Sequence, residues 1–189
     1  MSKIVLVTGG SRSGKSAYAQ KRAEENGTGR LFIATCPKID GEMDSRIERH
    51  QRDRQGKGWI TLEEEIDLSA VIAKHKNSQV ILVDCLTLWI NNLVYQQEKK
   101  SIEMKITEER VVSLSRELLS VSRQHSGMIF FVTNEVGSGI VPDSSATRHF
   151  RDLVGRCNQI MAEGADEVVL VSCGIPLFLK KQHTGNVFP

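Results

Sequence analysis

Residues 9–16 read Gly9-Gly10-Ser11-Arg12-Ser13-Gly14-Lys15-Ser16, and no other stretch restricts what this chain can fold into as tightly. The pattern is G-x-x-x-x-G-K-[ST], a loop whose backbone N–H groups wrap a phosphate chain. Each residue type has a physical reason. Glycines let the main chain close on phosphates without a Cβ in the way. Lys15 reaches β- and γ-phosphate oxygens, and the Ser16 hydroxyl is a ligand for Mg²⁺. Such a loop works between a strand and a helix, because the helix N-terminus turns its positive dipole end toward the anion. Both flanks are present. An apolar run over 4–7 precedes the loop, and a helix predicted over 16–26, closed by Gly27, follows it.

The rest of the chain repeats this alternation. Runs at 4–7, 31–34, 80–83, 129–132 and 168–171 are apolar on consecutive residues, as strands buried on both faces of a parallel sheet are. Two further helices are predicted. One spans 108–124, with Thr107 as N-cap and Val111, Leu114, Leu118 and Val121 on one face. The other spans 144–163, with Phe150, Leu153, Val154, Cys157 and Met161 on one face. The order predicts an α/β fold of P-loop NTPase type, a mostly parallel sheet flanked by helices on both faces. At 189 residues the expectation is one domain over 1–189. Residues 40–58 and 96–107 are charged and fit no apolar period; they read as solvated helix or loop.

Composition removes several classes of function. A formal net charge of +2 is too small to make nucleic acid or an anionic membrane the default partner. No window approaches the ~20 apolar residues of a membrane span, so a soluble, cytoplasmic protein is expected. Cys36, Cys85, Cys157 and Cys173 form no C-x-x-C pair and read as buried, reduced thiols.

In an open parallel sheet, ligands sit beyond the carboxyl ends of the strands. That rim should collect Thr8 and the P-loop, Ala34, Thr35 and Cys36, Asp84, the Thr133-Asn134-Glu135 turn, and Ser172 to Gly174. Asp84 closes the run Val-Ile-Leu-Val-Asp and is the candidate carboxylate on the metal side, with Ser16 as the other metal-binding residue. Glu135 is a second carboxylate, equally suited to a cap or a loop ion pair. Within 46–54, His50 stands among Arg46, Arg49, Arg52 and Arg54. It is either a bystander on a charged helix or an imidazole able to attack phosphorus beside guanidinium groups. Trp59 suits either packing a loop onto the core or stacking on a ring. Glu63 could accept the N1–H and N2 protons of guanine. The residues alone therefore indicate a Mg²⁺-dependent nucleotide-binding protein without naming its substrate. A small-molecule kinase and a nucleotide-dependent switch both remain open.

Taken together, the motifs resemble the bifunctional adenosylcobinamide kinase / adenosylcobinamide-phosphate guanylyltransferase family of cobalamin biosynthesis, over roughly residues 3–180. The matching pieces are VTGGSRSGKS (7–16), FIATC (32–36), EMDSRIERH (42–50), Trp59 with Glu63, LVDCLTLWINNL (82–93), FVTNEVGSGIVP (131–142), RHFRDLVGRCNQ (148–159) and ADEVVLVSCGIP (165–176). The resemblance implies two reactions. ATP or GTP phosphorylates the aminopropanol hydroxyl of adenosylcobinamide. GTP then gives GMP to that phosphate through a GMP-histidine intermediate, releasing pyrophosphate. The histidine falls on His50; some members carry a second histidine just before it, where this chain has Arg49. Nucleotide contacts would fall on Gly9 to Ser16, on Ala34, Thr35 and Cys36, on Gln51, Arg52, Asp53 and Arg54, and on Glu63 and Asp84. Lys15 and His50 would be the catalytic pair. The 40–65 segment would be basic and mobile, carrying His50 to the α-phosphorus. Asn134, Glu135, Arg148 and Arg151 are candidates for holding corrinoid or phosphate. A homotrimer is also implied. Residues 183–189 lie beyond the resemblance.

Overall fold

The computed structural model describes residues 2–37, 52, 54–99 and 106–181. Their elements are β1 (Lys3–Thr8), α1 (Lys15–Glu25), β2 (Arg30–Ala34), β3 (Trp59–Glu63), α2 (Leu68–Lys74), β4 (Val80–Asp84), α3 (Leu86–Lys99), α4 (Glu108–Arg123), β5 (Met128–Val132), α5 (Ser145–Gly164), β6 (Glu167–Ser172) and β7 (Ile175–Lys180). The seven strands form one sheet in the order β3-β2-β4-β5-β1-β6-β7. All neighbours are parallel except β6 and β7, which form an antiparallel hairpin. The predicted α/β, P-loop NTPase-like architecture is the observed one.

The period of two in the strands explains the layering. In β1, Ile4 and Leu6 face one side together with Ile81, Val83, Ile129 and Phe131, against Leu68, Trp89, Ile90, Leu118 and Leu153 of α2 to α5. Val5 and Val7 face the other side with Leu82, Phe130 and Val132, against Ala19 and Ala23 of α1. Phe130 and Phe131 are both 0% exposed on opposite faces, each stabilising by about 1.5–3 kcal/mol. Thr107 caps α4 as predicted, accepting from Arg110 N–H at 3.3 Å, and Asp67 caps α2 at 3.0 Å.

The amino ends of the strands are tied by ions and hydrogen bonds. Asp166 accepts from Ile4 N–H at 2.7 Å and from Arg123 at 2.7 and 3.0 Å. Glu167 bridges Lys3 and Arg22 at 2.6 and 2.8 Å. The opposite, carboxyl ends are left for loops.

Four elements were not predicted. Both edge strands, β3 and β7, lack the continuous apolar run of a central strand. Ile60 is 65% exposed in β3, and β7 begins Ile175-Pro176, a proline tolerated because the strand is an edge. The segment read as basic and mobile over 40–65 thus ends in a strand of the sheet. Helix α3 places Leu86, Trp89, Ile90 and Leu93 on one buried face, a period present in the sequence but hidden by its start directly after β4. Helix α2 has only seven residues. Two cysteines are corrected: all four are free thiols, but Cys36 just past β2 is only half-buried, and Cys173 is exposed because it sits in the β6–β7 turn.

Candidate active site

The P-loop closes the gap between β1 and α1, and close approach dictates its glycines. A Cβ on Gly9 would stand 2.4 Å from the Val171 carbonyl oxygen. Gly14 has φ +91°, and a Cβ there would meet Gly174 Cα at 3.2 Å. Arg12 takes the left-handed conformation at φ 59°. Gly14 caps α1 without offering a side-chain acceptor, and no acid sits in the first turn. The first-turn N–H groups and the dipole therefore face the loop interior uncompensated by any local carboxylate, the arrangement that binds phosphate. Lys15 is buried, and its Nζ donates to Gly10 O at 3.1 Å, so the ammonium lies against the loop.

Two neighbouring turns hold this loop in place. Gly174 N–H donates to Ser13 O at 2.8 Å from the β6–β7 turn, and Glu135 N–H donates to Gly9 O at 3.1 Å from the end of β5. A buried polar network fixes the second turn. Thr133 Oγ1 donates to Asn158 Oδ1 at 2.7 Å, Asn158 Nδ2 to Asn134 O at 3.1 Å, and Asn134 N–H to Thr87 Oγ1 at 2.7 Å. Asn92 donates to Thr35 O at 2.7 Å and to Glu65 O at 3.2 Å. Thr87, Asn92 and Asn158 were not picked out from the sequence. Their signal was available: each is a polar residue beside the apolar positions of its helix, where at least partial burial means it needs partners.

Asp84 ends β4, half-buried, and its carboxylate has no hydrogen-bond or ion-pair partner among the described residues. With the Ser16 hydroxyl on the first turn of α1, it offers hard oxygen donors of the kind Mg²⁺ takes when phosphates and water supply the rest. No group of three His, Cys, Asp or Glu side chains suited to a metal occurs among the described residues. Burial, followed by the Asp84 charge, pushes the neighbouring Cys85 thiol up to about 12, while the Lys15 charge acts on it in the opposite sense. Cys85 is thus inert as a nucleophile.

The predicted residues spread along the rim. Counting strands at about 4.8 Å each, Asp84 lies ~10 Å from the end of β1. Thr35 lies ~14 Å away, and Glu63 at the β3 edge ~19 Å. Thr35 is buried, exchanging hydrogen bonds between its Oγ1 and the backbone of Cys85 at 2.7 and 2.8 Å. Arg54 lies under the β3–β2 edge on the α1 face. It is buried, with its guanidinium carbon 3.6 Å from the Phe32 ring centroid. Together with Arg52 and Trp59 it lines an open cleft of about 650 Å³. Trp59 packs edge-on to Phe32, and its Nε1–H donates to Glu24 at 3.1 Å, so of its two readings the structure shows packing. Arg148 donates to Pro142 O and Asp143 O at 2.8 and 2.7 Å, which holds the loop before α5. Arg151 pairs with Asp152 at 3.1 Å. His50, Gln51 and Asp53 lie outside the described residues.

Comparison with known proteins bears on this geometry. Residues 5–179 match the family model described as cobinamide kinase / cobinamide phosphate guanyltransferase. The bifunctional adenosylcobalamin biosynthesis protein CobU of Escherichia coli is 36% identical over 182 residues, 94% of this chain and 99% of that protein. CobP of Pseudomonas aeruginosa, likewise described as bifunctional, is 37% identical over 176 residues, 93% of this chain and 96% of that one. Among solved structures, the flagellar accessory protein FlaH of Methanocaldococcus jannaschii superposes with a TM-score of 0.50 at 12% identity, covering 95% of this chain and 78% of its own. That likeness concerns the fold alone.

Proposed function

The chain belongs to the cobinamide kinase / cobinamide phosphate guanyltransferase family, and from that premise we propose that it performs both steps of its family. It phosphorylates adenosylcobinamide with ATP or GTP, then moves GMP from GTP to adenosylcobinamide phosphate, giving adenosylcobinamide-GDP and pyrophosphate in the cytoplasm. The observation that carries this reading is the P-loop. It has an uncapped helix start, a buried Lys15 and a backbone clamped from both sides.

In this reading the residues divide the work. Backbone N–H groups of 9–16 and the Lys15 ammonium hold the β- and γ-phosphates and take up charge as a phosphoryl group moves. Ser16 and Asp84 would hold Mg²⁺, which supplies further neutralisation of the triphosphate. Ala34, Thr35, Cys36, Gln51, Arg52, Asp53, Arg54 and Glu63 serve the nucleoside end, which extends along the rim toward β3. The position of Glu63, four strands from β1, supports a contact with base rather than with phosphate. His50 attacks the α-phosphorus, so the segment before β3 must bring its imidazole to ~3–3.5 Å from that atom. The cobinamide phosphate then displaces the imidazole. Copies of the chain form a homotrimer, for which the apolar β7 edge (Ile175, Leu177 and Leu179, all exposed) is the candidate contact.

The test is direct. Purified protein, adenosylcobinamide, GTP and Mg²⁺ should yield adenosylcobinamide phosphate and then adenosylcobinamide-GDP, resolved by chromatography. A wild-type protein that binds GTP but converts no corrinoid would overturn the reading.

A further inference from the structure

We infer that Glu135 is the proton acceptor for the substrate hydroxyl in the phosphorylation step. The inference rests on the proposed kinase reading and adds to it the group that step needs. Phosphoryl transfer to an alcohol releases a proton, and a carboxylate beside the attacking oxygen is the usual way to take it.

Four observations single out this residue. First, strand β5 pairs with β1 in register from Lys3↔Met128 to Val7↔Val132. The ladder continues past the strands: Thr133 N–H donates to Val7 O at 3.0 Å and Glu135 N–H to Gly9 O at 3.1 Å. Glu135 is therefore one strand spacing from the first P-loop residue, about 4.8 Å. Asp84 is two spacings away, and Glu63 four.

Second, its seat is rigid. The peptide groups of Asn134 are held by Thr87 and Asn158, side chains from two different helices. Third, the carboxylate is exposed and tethered: its Oε1 accepts Gly137 N–H at 3.0 Å, which fixes one oxygen on the loop and leaves the other open. Fourth, Glu135 forms no ion pair among the described residues, so it is not spent on a salt bridge. A carboxylate on the residue that pairs with the first P-loop glycine would repel phosphate and accept from a hydroxyl. The phosphate-binding alternative for this residue is disfavoured by its charge.

The step balances. The hydroxyl oxygen forms the new bond to the γ-phosphorus, and the bond from that phosphorus to the β,γ-bridging oxygen breaks. Nucleoside diphosphate leaves, and the hydroxyl proton passes to a Glu135 oxygen and on to solvent. In the second reaction the attacking group is a phosphate oxygen that carries no proton. Glu135 has nothing to accept there.

That difference makes the test. Glu135→Gln and Glu135→Asp are assayed for the two steps separately, with adenosylcobinamide phosphate supplied directly for the second. Glu135→Gln should lower kcat of phosphorylation by about 10²–10⁴-fold, leave the nucleotide KM in place, and keep GMP transfer. Glu135→Asp, which keeps a carboxylate, should recover part of the lost kcat. Glu135→Gln that phosphorylates like wild type would overturn the inference. A parallel loss of both steps would overturn it too, by reducing Glu135 to a support of the P-loop. Wild-type protein that transfers no phosphoryl group at all would instead overturn the functional reading, and this inference with it.

Discussion

A methyl group on Gly9 would collide with the Val171 carbonyl oxygen at 2.4 Å and with Ser13 Oγ at 2.7 Å. Backbone cannot yield as a flexible side chain does, so Gly9→Ala should cost about 1–3 kcal/mol in denaturant unfolding and abolish saturable binding of a fluorescent GTP analogue. Lys15→Ala should lower kcat/KM of phosphorylation by about 10²–10³-fold, the cost of losing one preorganised donor to the moving charge. A third residue governs pH. His125 is 2% exposed, with Nδ1 accepting from Gly127 N–H at 2.9 Å, and burial holds its imidazolium pKa below the ordinary value. Between that lowered value and about 6.5, the unfolded chain binds more protons than the folded one. Stability should therefore fall as pH drops below about 6.5 and level off above about 7.5. Urea midpoints measured from pH 8 to 5 check this, and His125→Gln should flatten the slope. Asp166 adds a second loss at lower pH. Burial pushes its carboxyl up, but bonds from Arg123 and Ile4 N–H outweigh that and hold it below its usual range.

At the scale of elements, the hairpin turn between β6 and β7 acts on the P-loop. Cys173 and Gly174 both have positive φ, at 52° and 79°, and Gly174 N–H reaches Ser13 O. No atom crowds a Cβ on Gly174, so Gly174→Ala should cost only the conformational penalty, about 1–2 kcal/mol. It should also weaken nucleotide binding through the shifted turn, as calorimetric titration would show. Leu118→Ala, at a site 0% exposed between α4 and the sheet, should cost about 2–5 kcal/mol and leave nucleotide affinity unchanged. The contrast separates the clamp from the core. These elements also mark what could be read in advance. The five central strands and helices α1, α4 and α5 were legible within a residue or so, because burial on two faces writes unbroken apolar runs and one-sided helices write a 3.6-residue period. Edge strands β3 and β7 were not, since Ile60, Leu177 and Leu179 face outward and the burial that drives alternation is missing. At the rim, the position of the P-loop between β1 and α1 and of Asp84 at the end of β4 was legible, because a Gly-rich loop and a polar residue closing an apolar run both mark strand ends. The Thr87–Thr133–Asn158 network was not, because its partners are 25 to 46 positions apart in sequence.

At the scale of the whole molecule, a parallel sheet tied by ion pairs at its amino ends leaves its carboxyl rim to carry chemistry. In the proposed reading the rim would order that chemistry from β1 outward: phosphates at the P-loop, the metal-side carboxylate at β4, the nucleoside end toward β3. Leu177→Glu on the β7 edge should convert the proposed trimer to smaller species in light scattering while the fold, read by circular dichroism, persists. An unchanged mass would move the contact elsewhere. In the proposed function one chain uses one nucleotide site for phosphoryl and GMP transfer, the latter through His50. The most direct test of this function is covalent labelling with Mg²⁺ and GTP carrying radiolabel at the α-phosphate, followed by denaturation. Wild-type protein should carry label that is acid-labile and alkali-stable, and His50→Ala, which still phosphorylates adenosylcobinamide, should carry none. Folded, GTP-binding wild type that takes up no label, or His50→Ala that labels equally well, would contradict it.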